Sequence, residues 1–141
     1  MIYADSSFPV SLYSPDANSG AAARAMRAAK HPIVVSTLGE LEVVNALGLR
    51  VYQREASATD AQVSLDAFRR DLRDGVLRPS PLPERVFERA RYLSEQTTAR
   101  LGTGTTDLLH VAAALEMGAA RLYSFDKRQR ALARAVRLKL N

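Results

Sequence analysis

Short apolar runs alternate with longer amphipathic segments along the whole chain. The short runs are closed by an acid or a turn and contain mostly apolar or β-branched residues, so they predict buried strands at residues 2–5, 33–36 and 121–125. Apolar positions at helical spacing and strong helix formers predict helices over residues 21–30, 37–55, 58–74, 84–101, 108–118 and 127–135. Residues 76–83 contain three prolines, which favours an edge strand or an extended connector.

This alternation predicts the α/β class, with a short parallel central sheet and helices on both of its faces. Neither an internal repeat nor a linker interrupts the pattern, so we expect one domain over residues 1–141. Ligand sites of such sheets lie outside the carboxyl ends of the strands. Asp5 and Asp126 each lie at the carboxyl end of a predicted strand, so both are expected at that edge. Asp126 also precedes a predicted helix, where an Asp is a good N-cap.

Composition narrows the possible functions only a little. There are 20 Lys and Arg against 15 Asp and Glu, a net charge of +5, which permits a nucleic-acid partner without establishing one. The absence of cysteine excludes disulfides, thiolate metal sites and cysteine nucleophiles. No apolar stretch approaches the roughly 20 residues of a membrane span, and the first residues lack the features of a signal peptide. We therefore expect a cytoplasmic protein with no membrane association.

Two further acids lie in apolar surroundings. Asp107 opens a segment that is apolar almost all round, where it could either stabilise the helix start, with Thr105 or Thr106 as N-cap, or take part in a site. Glu42 falls on a stripe of leucines in the segment 37–55, and Glu40 is its rival. Periodicity alone does not choose between these two glutamates.

Carboxylates that converge on one edge of a sheet repel each other unless cations lie between them. A cluster of oxygen ligands without cysteine suits Mg²⁺ or Mn²⁺. Mg²⁺ commonly takes one or two carboxylates directly and keeps several waters, so four acids indicate two ions or contacts through water. Such ions can assist the hydrolysis of a phosphodiester.

The order and spacing of four stretches resemble the PIN-domain superfamily, and within it the VapC-type toxin ribonucleases. The stretches are "MIYADSS", "ELEVVNAL", "TTDLLHVAAALEMGA" and "RLYSFDKRQRALA", and they extend over essentially the whole chain. The resemblance implies a catalytic, metal-binding set of four acids: Asp5, Glu42, Asp107 and Asp126. It prefers Glu42 to Glu40, and it implies supporting roles for Ser6, Asn45 and Ser124.

The resemblance also implies a function. It is that of a Mg²⁺- or Mn²⁺-dependent endoribonuclease that leaves 3′-hydroxyl and 5′-phosphate ends and acts as the toxin of a type II toxin–antitoxin pair. The resemblance further implies a cognate antitoxin as partner. It also implies a homodimer, which would form through apolar helix faces of residues 37–74. Three basic residues after the last acid would contact the phosphates of RNA: Lys127, Arg128 and Arg130.

Other interpretations remain open at this stage. His110 is expected to be a hydrogen-bonded core residue rather than a ligand. A PIN-like module could bind RNA or protein without cutting, in which case neutralising an acid would leave its RNA affinity unchanged. A phosphatase or phosphoacceptor with Asp5 as nucleophile is disfavoured, because haloacid-type phosphatases have a second acid two residues later and Ser7 stands there.

Overall fold

The protein is described by a computed structural model that covers all 141 residues. Four strands form its sheet: β1 (Ile2–Ala4), β2 (Ile33–Ser36), β3 (Leu77–Ser80) and β4 (Arg121–Tyr123). Seven helices surround them: α1 (Ser7–Tyr13), α2 (Ser19–Ala28), α3 (Thr37–Tyr52), α4 (Ala58–Arg73), α5 (Arg85–Leu101), α6 (Thr105–Glu116) and α7 (Lys127–Ala135).

The sheet is wholly parallel, in the order β3-β2-β1-β4. This confirms the predicted α/β class. The proline-containing strand β3 lies at an edge, as expected for a residue such as Pro79 that has no N–H to donate. Because the strands are parallel, the residues that follow them meet at one carboxyl edge, and Asp5 and Ser124 directly follow β1 and β4.

Two hydrophobic clusters cover the two faces of the sheet. Successive residues of a strand point to opposite faces, so Tyr3 and Leu122 pack in one cluster, with side chains of α5, α6 and α7. Ala4 and Tyr123 pack in the other cluster, with side chains of α1, α2, α3 and α4. The helices therefore lie on both faces, as predicted.

Some local expectations differ from the structure. α6 begins at Thr105, so its N-cap is Gly104 and neither Thr105 nor Thr106. The N–H of Gly104 donates a hydrogen bond to the Asp107 carboxylate. The leucine stripe of α3 is not the buried face of that helix: Leu41 is exposed, and Val43 and Leu47 are buried instead.

No helix of the structure is both long enough and apolar enough to cross a membrane.

Candidate active site

Asp5 is completely buried at the carboxyl end of β1. Its Oδ1 accepts hydrogen bonds from the Ser7 hydroxyl at 2.6 Å and from the Phe8 N–H at 3.2 Å. Its Oδ2 accepts from the Ser124 hydroxyl at 2.5 Å. Burial raises the pKa of the Asp5 carboxyl above its ordinary value, and the nearby His110 and these three hydrogen bonds offset only part of that effect. A buried carboxylate of this kind favours a cation beside it.

Ser124 connects Asp5 to Asp126. Besides donating to Asp5, the Ser124 hydroxyl accepts from the Asp126 N–H at 3.1 Å. The Asp126 Oδ1 in turn accepts from the N–H groups of Arg128 at 2.8 Å and Gln129 at 2.9 Å, which makes Asp126 the N-cap of α7. Two of the four predicted acids are therefore linked through one serine.

Glu42 projects from α3 towards α6, where it meets a histidine. The His110 Nε2 lies 2.5 Å from Glu42 Oε2, and the Glu42 side chain is 27% exposed while His110 is fully buried. Burial alone would raise the pKa of Glu42, but the hydrogen bond and the electrostatic attraction of His110, together with the Ser6 hydroxyl, lower it overall. Glu42 is thus held as a carboxylate.

The other ring nitrogen of His110 continues this network into the core. His110 Nδ1 lies 2.9 Å from the hydroxyl of Tyr3, and that hydroxyl lies 2.8 Å from Ser36 Oγ. Ser36 is the N-cap of α3, since its Oγ accepts from the Gly39 N–H at 3.2 Å. His110 is a hydrogen-bonded core residue, and its partner is a predicted site acid.

Asp107 lies in the first turn of α6 and is almost completely buried. Its Oδ2 accepts from the Gly104 N–H at 2.8 Å. A Cβ on residue 104 would lie 3.3 Å from that oxygen, so the glycine lets the loop approach the carboxylate closely. The Gly-rich turn before α6 thereby fixes the orientation of one carboxylate oxygen.

The predicted supporting residues occupy different positions. Ser124 contacts Asp5 directly, whereas Ser6 acts on Glu42 and it is Ser7 that donates to Asp5. Asn45 is exposed on α3 and makes no side-chain hydrogen bond.

The basic residues that follow Asp126 also divide into two groups. Lys127 and Arg128 are exposed in the first turn of α7. Arg130 points back to the end of β4, where its guanidinium donates to the Ser124 carbonyl at 2.7 Å and to Asn141 Oδ1 at 2.8 Å. Lys127 and Arg128 are therefore available to a phosphate, while Arg130 holds the strand end.

The donor set suits a hard divalent cation. Asp107 and Asp126 each use one carboxylate oxygen in the hydrogen bonds described, and the other oxygen is neither hydrogen-bonded within the protein nor buried. The partly exposed carboxylate of Glu42 is held by His110 and Ser6. No three Asp, Glu or His side chains lie close enough to hold one ion among them. One or two direct carboxylate ligands with several waters, the usual coordination of Mg²⁺, fit this arrangement.

Four members of the network were not identified as site residues from the sequence: Ser7, Tyr3, Ser36 and His110. A usable signal existed only for His110, which is the one strongly polar side chain in the middle of an otherwise apolar helix. For Tyr3, an alternating strand pattern predicts burial but not the partner of its hydroxyl.

Comparisons with known proteins identify the family and similar folds. A family model described as the PIN domain matches residues 2–135. No curated protein matches the sequence.

Solved structures with a similar fold include a toxin and a toxin–antitoxin complex. The VapC20 toxin of Mycobacterium tuberculosis, described as a Sarcin-Ricin loop cleaving toxin, has a TM-score of 0.71 and 22% identity over 93% of this chain and 94% of that chain. VapBC2 of Rickettsia felis, bound to a DNA fragment from its promoter, has a TM-score of 0.67 and 18% identity over 100% of this chain and 98% of that chain. FitAcB of Neisseria gonorrhoeae has a TM-score of 0.67 and 14% identity over 99% of this chain and 96% of that chain. At these identities the likeness is one of fold.

Proposed function

Because the chain belongs to the PIN domain family, we propose that it is a metal-dependent endoribonuclease and the toxin of a type II toxin–antitoxin pair. The observation that carries this proposal is the buried carboxylate of Asp5 at the carboxyl edge of the sheet, hydrogen-bonded through Ser124 to the residue that caps α7. Burial raises the pKa of Asp5, and a divalent cation beside it would stabilise the ionised form.

The proposed site residues are Asp5, Glu42, Asp107 and Asp126. A divalent ion at this edge would supply an activated water and would stabilise charge on a scissile phosphodiester. Ser7 and Ser124 hold the two oxygens of Asp5, and the Gly104 N–H holds one oxygen of Asp107. These contacts fix the carboxylates before a ligand arrives, which lowers the cost of binding.

RNA would reach the site across the start of α7. Lys127 and Arg128 are exposed within two residues of Asp126, and the N-terminus of a helix attracts anions. We assign phosphate contacts to these two residues and a structural role to Arg130, whose guanidinium binds Ser124 and Asn141. Replacing Lys127 and Arg128 by Gln should weaken RNA binding and reduce its dependence on salt. An unchanged salt dependence would place the RNA path elsewhere.

The first test measures metal binding and catalysis with one set of variants. Mn²⁺ is titrated into the purified protein and followed by water-proton relaxation, with RNA cleavage assayed in parallel. Asp5→Asn and Glu42→Gln should both weaken Mn²⁺ binding and abolish cleavage. The matched control is Glu40→Gln, two residues before Glu42 and on the other side of α3, which should behave as the wild type. If the wild type neither binds Mn²⁺ nor cleaves any RNA of a total cellular pool, the nuclease proposal fails.

The same variants separate the nuclease from a non-cutting RNA-binding module. A module that only binds RNA would keep its affinity after Asp5→Asn, and its expression would affect cells equally with or without that substitution. We expect instead that induced expression of the wild type arrests growth and that Asp5→Asn relieves the arrest. Equal arrest by both proteins would contradict a toxin that acts by cleavage.

Homodimerisation, and contact with a protein antitoxin, are supported by apolar side chains left exposed on α3 and α4. Leu41 is 67% exposed, Tyr52 84% and Val63 64%. Large exposed apolar side chains commonly mark protein interfaces. Sedimentation of the wild type should show a dimer that Leu41→Ser with Tyr52→Ser converts to a monomer. A wild type that is monomeric at all concentrations would leave this surface to the antitoxin.

A further inference from the structure

A continuous chain of hydrogen bonds connects the start of α3 to Glu42 by way of β1 and α6. It runs from the Gly39 N–H to Ser36 Oγ at 3.2 Å, to the Tyr3 hydroxyl at 2.8 Å, to His110 Nδ1 at 2.9 Å, and from His110 Nε2 to Glu42 Oε2 at 2.5 Å. Both ends lie on α3, while the middle is supplied by Ser36 at the end of β2, Tyr3 of β1 and His110 of α6.

The chemistry of these groups fixes the direction of the hydrogen bond to Glu42. The Gly39 N–H can only donate, and an ionised carboxylate such as that of Glu42 can only accept. Nε2 of His110 must therefore carry a proton and donate a hydrogen bond to Glu42. If Nδ1 is unprotonated, it accepts from the Tyr3 hydroxyl, and that hydroxyl accepts from Ser36. If Nδ1 also carries a proton, the Tyr3 hydroxyl accepts from it and donates to Ser36, and the bond to Glu42 keeps its direction.

We propose that His110, held by Tyr3, is a positioning residue that fixes the orientation of the Glu42 carboxylate at the carboxyl edge of the sheet. This role rests on the proposed nuclease function, which it deepens. His110 is not assigned as a metal ligand, because both of its ring nitrogens are already used within the protein.

The surroundings of the pair explain why such a residue is needed. Glu42 has a long, flexible side chain that is about one-quarter exposed at the edge of α3, so its rotamer depends on specific contacts such as the hydrogen bond to His110. His110 and Tyr3 are fully buried and tightly packed, which makes the pair a rigid support. The contact also distinguishes Glu42 from Glu40, which makes no hydrogen bond to a side chain of α6.

The first test concerns geometry and needs neither metal nor substrate. Nitrogen-15 NMR of the metal-free protein, with ¹⁵N-labelled histidine, reports which ring nitrogen of His110 is protonated. We expect a proton on Nε2, and we expect Tyr3→Phe, which removes only the hydroxyl, to shift the Nδ1 resonance while Nε2 stays protonated. An unprotonated Nε2 in the wild type would overturn the proposal.

The second test compares two amide substitutions of the same residue. The amide nitrogen of Gln occupies roughly the place of Nε2 and keeps a donor for Glu42, whereas that of Asn occupies the place of Nδ1 and does not reach it. Residues that hold a metal-binding carboxylate typically contribute about 10–100-fold to metal affinity. We expect a loss of that size in Mn²⁺ affinity for His110→Asn and clearly better retention for His110→Gln. A merely structural role would make the two variants equal.

A double-mutant cycle distinguishes failure of this proposal from failure of the nuclease proposal. If His110 acts through Glu42, His110→Asn should cause no further loss of Mn²⁺ affinity in a Glu42→Gln background. A wild type that binds Mn²⁺ while His110→Asn binds equally well overturns the positioning role alone. A wild type without Mn²⁺ binding or cleavage overturns both proposals.

Discussion

Substitution of Asp126 separates two roles that one side chain would combine at the start of α7: capping the helix and, in the proposed nuclease, binding metal. Asp126 Oδ1 accepts two backbone hydrogen bonds, from Arg128 at 2.8 Å and from Gln129 at 2.9 Å. The Asn side chain can accept the same hydrogen bonds but carries no charge. The Ala side chain neither accepts a hydrogen bond nor carries a charge. The pair of variants Asp126→Asn and Asp126→Ala therefore isolates each role.

The expected magnitudes follow from these contacts. Replacing an N-cap Asp by Ala costs typically about 1 kcal/mol, and the lost attraction between its charge and the helix dipole adds a few tenths. We expect Asp126→Ala to lower the free energy of unfolding by about 1–2 kcal/mol, or to lower the melting temperature by roughly 3–6 °C. Asp126→Asn should keep the cap and lose less than about 0.5 kcal/mol.

Urea denaturation followed by circular dichroism measures these stabilities, and Mn²⁺ titration of the same samples measures the site. Both variants should lose Mn²⁺ affinity, although only Asp126→Ala loses substantial stability. Equal destabilisation by Asn and Ala would refute capping by the side-chain oxygen. Retained Mn²⁺ affinity in Asp126→Asn would refute a metal-binding role and leave the residue a helix cap.

Three further outcomes follow from other buried polar groups. Because the folded-state pKa of Asp5 is raised, the folded protein holds its proton more tightly than the unfolded chain, and stability falls as pH rises through that range. Metal-free Asp5→Asn should therefore be more stable than the wild type at neutral pH, and the difference should vanish in acid; calorimetry showing the opposite trend would contradict it. Gln129 Oε1 is buried without a hydrogen-bond partner, so Gln129→Met should raise the free energy of unfolding by about 1 kcal/mol. A clear decrease in that free energy, measured by urea denaturation, would contradict this expectation. The Tyr13 hydroxyl donates a hydrogen bond to Asp71 at 2.6 Å, so Tyr13→Phe should lower the free energy of unfolding by about 1–2 kcal/mol in the same measurement. An unchanged free energy of unfolding would contradict this hydrogen bond.

Local patterns in the sequence were sufficient for the order of the elements and for the class of fold. The helix predicted over residues 127–135 has those bounds in the structure, because Asp126 is a strong N-cap and the apolar run before it is a buried strand. The same logic predicted that Asp5 lies at the carboxyl end of a strand. Strand periodicity, helix propensity and capping act between residues close in the chain, so a single sequence records them directly.

Contacts between distant segments could not be obtained in this way. Glu42 and His110 are 68 residues apart, and Tyr3 and His110 are 107 apart, so their pairing depends on how α3 and α6 pack around β1. The buried face of α3 depends on the same packing: Val43 and Leu47 are buried, whereas Leu41 of the leucine stripe is exposed. Periodicity fixes which residues of a helix share a face, but packing against the rest of the chain determines which face is buried and which carboxylate meets the histidine.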